Sequence, residues 1–156
     1  MVVKLKSKQD FQIRQPISPA EYDEYYDLRW RVLRKPWKMP VGSEREERDA
    51  TASHYIAVNE DQKIVGAGRL HLKSEKEAQI RFMAVEDAFQ KKGVGKALII
   101  AMEAEAVQRG AETAMLMARD YAVGFYERLG YKIEEKTFIL FGNIQHYKMR
   151  KQLLTE

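Results

Sequence analysis

The strand Ile80-Arg81-Phe82-Met83-Ala84-Val85, the loop Gln90-Lys91-Lys92-Gly93-Val94-Gly95 and the helical run over residues 96–109 decide the reading of this chain. An apolar strand enters a loop with two glycines and leaves it through a helix. Glycine lets the backbone bend tightly, so that its N–H groups converge on one point. The helix that follows adds the positive end of its macrodipole there. Lys91 and Lys92 add formal charge. The combination is a receptor for a pyrophosphate. The plainer reading is a glycine-rich turn with solvated lysines.

Two common phosphate loops fit poorly. A Walker loop, G-x-x-x-x-G-K-[ST], matches at Gly95-Lys96, but Gln90 stands at its first glycine and Ala97 replaces the magnesium-binding hydroxyl. A dinucleotide fingerprint, G-x-G-x-x-G/A, matches at Gly93 and Gly95, but Leu98 stands where close packing needs a small residue. The pattern Q/R-x-x-G-x-G/A between a strand and a helix fits at every position. A second motif, Asp120-Tyr121-Ala122-Val123-Gly124-Phe125-Tyr126-Glu127-Arg128-Leu129-Gly130-Tyr131, follows the strand Ala114-Met115-Leu116-Met117. Asp120 is placed to cap a helix and Gly130 to end it in a left-handed conformation. Phe125 and Leu129 have core spacing. Tyr126 stands beside that stripe. Alone it reads as a half-buried tyrosine with a satisfied hydroxyl; with the loop upstream it becomes a candidate catalytic phenol.

The chain has 156 residues, enough for one domain with a real core, and residues 1–156 read as a single domain. Its composition, 45% hydrophobic, is that of a globular protein. With no cysteine there is no disulfide, no thiol nucleophile and no thiolate-bound metal. Residues 1–6 hold no apolar stretch of signal-peptide length, and no run reaches the ~18 residues of a membrane span. A cytoplasmic protein without a membrane partner is the expectation. The net charge of +4 reads mostly as solvated surface, compatible with an anionic ligand, and no nucleic-acid motif accompanies it. His54, His71 and His146 lack metal-ligand spacing, so no metal is expected.

Strands are expected at residues 11–15, 54–58, 64–71, 77–85, 113–118, 131–140 and 144–149. Ser18-Pro19-Ala20-Glu21 forms a capping box with proline at the first helical position, and that helix must end before Pro36. Ser43-Glu44-Arg45-Glu46 reads as a second capping box opening a short charged helix. Gly110 is placed to cap the long helix. Alternating elements of this kind predict an α/β (α+β) architecture, a mixed central sheet of seven strands with helices on both faces.

The loop and the tyrosine motif together resemble the GNAT N-acetyltransferases, in element order and motif spacing, across nearly the full length. The resemblance implies direct transfer of an acetyl group from acetyl-CoA to an amine, without a metal. Backbone N–H groups of the loop (Gln90, Lys91, Lys92, Gly93, Val94, Gly95, Lys96) would hold the pyrophosphate. Met83, Ala84 and Val85 would pair with the pantetheine arm, with an amide near Met83 or Ala84 polarising the thioester carbonyl. Tyr126 would donate to the departing thiolate. In this family the acceptor site is built from the first helices and last strands, here residues 22–42 and 138–146. Trp30, Trp37 and Tyr147 fall near or in those segments, though core packing is the plainer role for each. Dimers are common in the family.

The chain departs from that pattern twice. Where many relatives place a glutamate base, Arg81 is a fixed cation. Glu77, Asp120, Glu86, His71 and a water chain remain as bases. Where many relatives carry asparagine, Arg119 stands, a candidate cofactor contact. Arg69 and Arg81 lie on strands expected to be neighbours. If they share a face with Arg119 the acceptor side is cationic; ordinary pairing with Glu77 or Asp120 is the alternative. The stretches 28–36, 42–45, 68–70 and 80–85 further resemble the acetyltransferase half of bacterial two-domain acetyltransferase/thioesterase proteins. That half would end here at Glu156, with the thioesterase absent. This keeps an acyl-carrier acceptor, a thioester enzyme of fatty-acid metabolism, and a non-catalytic acyl-CoA-binding protein beside amine acetylation.

Overall fold

A computed structural model describes residues 10–153; the expectation for residues 1–6 lies outside them. Strand β1 (Phe11–Arg14) leads into helix α1 (Pro19–Leu33). Ser18 caps α1 by accepting from the Glu21 amide at 3.2 Å, with Pro19 at the first helical position. The reciprocal half of the capping box is displaced. Glu21 accepts from the Ile17 amide at 2.9 Å and grips Arg14 with both oxygens, at 2.9 and 2.6 Å. The helix ends before Pro36, and a short 3-10 helix, Lys35–Trp37, turns the chain.

The capping box expected at Ser43 does not form. The Ser43 hydroxyl donates to the Pro40 carbonyl at 2.5 Å and is spent on its own turn. The helical turn is instead Glu47–Ala50, closed reciprocally by the side chains of Glu46 and Asp49. Strands β2 (Ser53–Asn59), β3 (Ile64–Leu72) and β4 (Glu77–Val85) follow. Helix α2 (Val94–Gln108) begins at Val94, not at Lys96. Then come β5 (Thr113–Arg119), α3 (Val123–Arg128), β6 (Lys132–Leu140) and β7 (Ile144–Gln152). Gly110 and Gly130 close α2 and α3 at positive φ, as expected.

The sheet has seven strands in the order β1-β2-β3-β4-β5-β7-β6. Every neighbouring pair is antiparallel except β4–β5. Side chains alternate between its faces. Thus Ile56, Val58 and Ala67 pack with Tyr25 and Leu28 of α1. Val65, Leu70, Ile80 and Leu116 pack on the other side with Leu98, Ile99 and Met102 of α2, and α3 adds Tyr126 to that core.

One feature of the sheet positions the site. β4 and β5 pair only from Glu77↔Thr113 to Gln79↔Met115 and then separate. β4 continues beside β3 as far as Val85, and β5 beside β7 as far as Arg119. Phe82, at φ +57°, lies in a bulge where the β3–β4 register slips between Ala67 and Arg69. A bulge leaves a residue out of the ladder and bends the strand. Beyond Gln79 the edge of β4 that faced β5 has no strand partner, and its backbone groups need one.

Gly66 of β3 lets α2 begin so close to the sheet. A Cβ there would lie 2.6 Å from Val94 Cγ1 and 3.1 Å from Leu98 Cδ1. Gly66→Ala is expected to cost about 1–3 kcal/mol by overpacking. Urea unfolding would measure the loss, and Val94→Ala in the same chain should recover part of it.

Candidate active site

The gap between β4 and β5 is a cleft of about 960 Å³, of a size for a cofactor or its equivalent. Its walls are residues 79–85 of β4 and 116–119 of β5. At one end is the loop. Lys91 and Gly93 take φ +61° and +88°, and Gly93 is the N-cap of α2 with no side chain capping the helix. The first-turn amides of α2 therefore have no intrahelical partner and stand at the cleft. The two glycines serve different ends. Gly93 supplies a left-handed conformation with open space around it, whereas a Cβ on Gly95 would meet Phe125 Cζ at 3.0 Å.

Lys91, Gly93, Val94, Gly95 and Lys96 line the cleft. Gln90 ties the loop to the strand, its Nε2 donating to the Val85 carbonyl at 3.3 Å and to Asp87 at 3.2 Å. Lys92 does not line the cleft; its ammonium lies 5.5 Å from the centre of the Phe89 ring. Met83, Ala84 and Val85 are on the wall, as their position on the strand requires.

Tyr126 lines the cleft from α3, with its ring edge-on to Phe125 and Tyr131 at 5.0 and 5.9 Å. It is only 7% exposed, yet its hydroxyl makes no hydrogen bond among the described residues. Burial raises its pKa, against the opposing charge of Arg119, so the phenol is protonated. Asp120 does not cap α3. It opens a 3-10 turn, Asp120–Ala122, and accepts from the Tyr121 amide at 2.7 Å, because the helix starts in two steps.

The three arginines weighed as one cationic face or as ordinary ion pairs divide between the two in the structure. Arg69 is fully buried and paired with Glu46 and, at 3.0 Å, Asp49, so it is no acceptor contact. Arg81 and Arg119 do line the cleft. Arg34, inside the segment 22–42 that the resemblance gave to the acceptor site but not singled out there, joins them.

None of the four side chains proposed as bases lines the cleft. Glu77 lies at the far end of β4, accepting from Arg150 at 2.8 Å and Thr113 at 3.0 Å. Burial raises its pKa, but those hydrogen bonds outweigh it and hold the carboxyl below its ordinary value. Alternation along β4 put Glu77 on the face of Arg81 but could not reveal that Arg150 of β7 would claim it. Asp120 is bound to its own turn, and Glu86 lies 2.7 Å from Arg31. His71 contacts Arg69 at 3.3 Å; burial, then Arg69, depress its pKa to about 4.

His146 of β7 does line the cleft. Its ring stacks on Phe138 at 4.5 Å, and Nδ1 lies 3.1 Å from the Ile144 carbonyl. A carbonyl only accepts, so the neutral ring carries its proton on Nδ1 and leaves a lone pair on Nε2. Burial lowers the pKa of His146; Ile144 opposes, and Arg119 and Arg34 lower it further. The sole signal for it in the sequence was its place among residues 138–146.

A buried ionic network backs the bulge of β4. Arg29 of α1 donates to Asp49 at 3.1 and 3.3 Å and to the Glu44 carbonyl. Its guanidinium sits 3.8 Å from the centre of the Phe82 ring, and Arg69 sits 5.0 Å from the same ring. Arg81 and Arg34 lie 4.7 and 5.7 Å from the same ring, so four guanidinium groups gather around the strained bulge residue.

Comparison with known proteins agrees with this geometry. The model of the acetyltransferase (GNAT) family matches residues 22–131. YjcF of Bacillus subtilis (strain 168), named an uncharacterized N-acetyltransferase, is 31% identical over 129 residues, covering 83% of this chain and 90% of that protein. The crystal structure of a candidate N-acetyltransferase from Lactobacillus plantarum superposes with a TM-score of 0.82, at 22% identity, over 94% of this chain and 100% of that one. An aminoglycoside 6'-N-acetyltransferase complexed with coenzyme A superposes with a TM-score of 0.78, at 19% identity, over 93% and 98%. At these identities the structural likeness establishes the fold. Among the described residues no group of His, Asp and Glu could hold a metal, and no helix is long and apolar enough to cross a membrane.

Asp49 is the one acid paired with the buried Arg29 among the described residues, and it is shared with Arg69, so removing it leaves a buried guanidinium uncompensated. Asp49→Ala is therefore expected to lower stability by about 3–5 kcal/mol. A shift in the urea midpoint at constant slope would register it.

Proposed function

The chain belongs to the GNAT acetyltransferase family, and from that premise we propose a division of labour for its acetyl transfer from acetyl-CoA to an amine. The observation that carries it is the parted edge of β4, open along a cleft that has free loop amides at one end and the unpartnered Tyr126 hydroxyl beside it. The residues fit the coenzyme: a left-handed glycine and uncapped amides for a diphosphate, and an unpaired strand edge for an amide-bearing arm.

In this reading the backbone of residues 91–96 holds the diphosphate. Gln90 keeps the loop against Val85, and Met83, Ala84 and Val85 offer backbone groups to the arm. The bulge at Phe82 turns an amide out of the ladder toward the thioester carbonyl, where negative charge grows during attack. Arg119, which the resemblance offered as a cofactor contact, faces the cleft beside Arg34, over the shared Leu33 carbonyl, and is assigned here to the acceptor's wall. His146 takes the proton that the attacking amine must lose, through its Nε2 lone pair. The carbon–nitrogen bond forms and the carbon–sulfur bond breaks. Tyr126 donates its hydrogen bond to the departing sulfur. A free thiol has a pKa of about 8.5 and a phenol about 10, so a buried phenol stays a donor throughout.

Calorimetry with coenzyme A and acetyl-CoA should show binding, and thiol release should require an added amine; absence of both would refute the proposal. Tyr126→Phe should leave coenzyme affinity intact and reduce kcat by about 10²-fold or more. The pH profile tests His146 separately. Its neutral form works and its pKa is depressed, so kcat/KM should hold at neutral pH and fall as pH drops below the ordinary histidine value of 6.5. His146→Gln should lower the plateau and abolish that acid limb; an unchanged limb would remove His146 from the mechanism.

A further inference from the structure

One wall of the cleft, where the end of α1 meets β4 and β5, is cationic in a way the transfer chemistry itself does not need. Arg34, just after α1, and Arg119, at the end of β5, both donate to the Leu33 carbonyl, at 3.2 and 3.0 Å. That shared acceptor sets two guanidinium groups side by side. Arg34 also donates to the Ser43 carbonyl at 3.1 Å, and Arg119 to the Tyr121 hydroxyl at 3.0 Å. Neither has an acidic partner among the described residues.

Arg81 enters from β4, its side chain 40% exposed, with one distant partner, Glu46 at 3.7 Å. Glu46 is already engaged by the buried Arg69. Among the described residues the one acid lining the cleft is Asp87, which accepts from Gln90. Burial, then Arg119, Arg29 and Arg81, pull Arg34 down to about 10 against the opposing charge of Glu44, the mark of a desolvated cation among like charges. Such a cluster lacks an anion.

We infer that the acceptor is a small primary amine that also carries a carboxylate or phosphate, held by Arg34, Arg81 and Arg119. The inference rests on the acetyl-transfer reading and names its acceptor class. Guanidinium forks match both anions in charge and geometry. The same cations disfavour an ammonium beside them, so the bound amine is shifted toward the free base that attacks. A polyamine or an aminoglycoside brings only positive charge to this wall. The aromatic pair Trp37 and Phe141, stacked at 6.0 Å, lies beside the arginines, with Arg119 4.6 Å from the Trp37 ring.

The test uses the whole chain, saturating acetyl-CoA and thiol release with matched amines. Alanine is set against alanine methyl ester, phosphoethanolamine against ethanolamine, and spermidine stands as the polycation. The anionic member of at least one pair should exceed its neutral counterpart in kcat/KM by about tenfold to hundredfold. The pair with the larger ratio identifies carboxylate or phosphate. Arg34→Met and Arg81→Gln, checked for folding by circular dichroism, should each collapse that ratio by raising KM for the anionic amine, with coenzyme A affinity by calorimetry unchanged. Equal or better turnover of the neutral amines or spermidine overturns the acceptor class and leaves acetyl transfer standing. Weakened coenzyme affinity in both variants, with the ratio intact, also overturns it by assigning the arginines to the cofactor. No thiol release with any amine overturns the transfer reading as well.

Discussion

The separation of β4 from β5 after Gln79 and Met115 is the constraint on which the site depends. A parallel pair that zipped to its ends would satisfy its own backbone and leave no cleft. Here each strand keeps faith with its other neighbour, β4 with β3 and β5 with β7, and the shared edge opens. The bulge at Phe82 bends β4 at the place where pairing has already ceased. The opening has the apolar core of α2 and α3 below it, so it cannot close by collapse. An edge of unpaired amides and carbonyls in a walled cleft is costly unless something extended lies along it.

The arginines divide into two groups by burial and partners. Arg29 and Arg69 are interior, neutralised by Asp49 and Glu46, and they clamp Phe82. Their work is to hold a strained backbone in place, and Asp49, shared by both, is the acid whose loss would leave buried cations uncompensated. Arg34, Arg81 and Arg119 face the cleft with little or no countercharge. Arg34 and Arg81 also lie near the Phe82 ring, so the second group shares in the shape of the site as well as setting its potential. The cleft wall is cationic because the acids of the first group are already used.

The absence of a glutamate at position 81 also has a structural counterpart. An arginine there cannot take a proton, and the carboxylates nearby in sequence are committed elsewhere: Glu77 to Arg150, Asp120 to its own turn, Glu86 to Arg31. His146 reaches the cleft from β7, opposite Arg119 in the β5–β7 register. Its proton is fixed on Nδ1 by the Ile144 carbonyl, so the nitrogen left over is the basic one.

Much of the fold was legible in the sequence. Period-two and period-3.6 patterns, the Ser18 cap, the closing glycines and the Gly93/Gly95 loop are local signals, written within a few residues of where they act. They placed seven strands, the main helices, the loop and Tyr126 nearly where they lie. The errors fell where a local signal had a competitor, as at Ser43, whose hydroxyl is taken by Pro40, and at Asp120, which begins a turn before the helix. Partnership was not legible. That Arg69 is sealed against Glu46 and Asp49, that Arg150 removes Glu77, and that Arg34 meets Arg119 over one carbonyl are contacts between residues far apart in the chain. Sequence alone determined the elements and the glycine-bent loop between β4 and α2, because those depend on neighbours in the chain. Only the tertiary structure decided which charges remain free to act, because a charge is cancelled by whatever folding brings beside it.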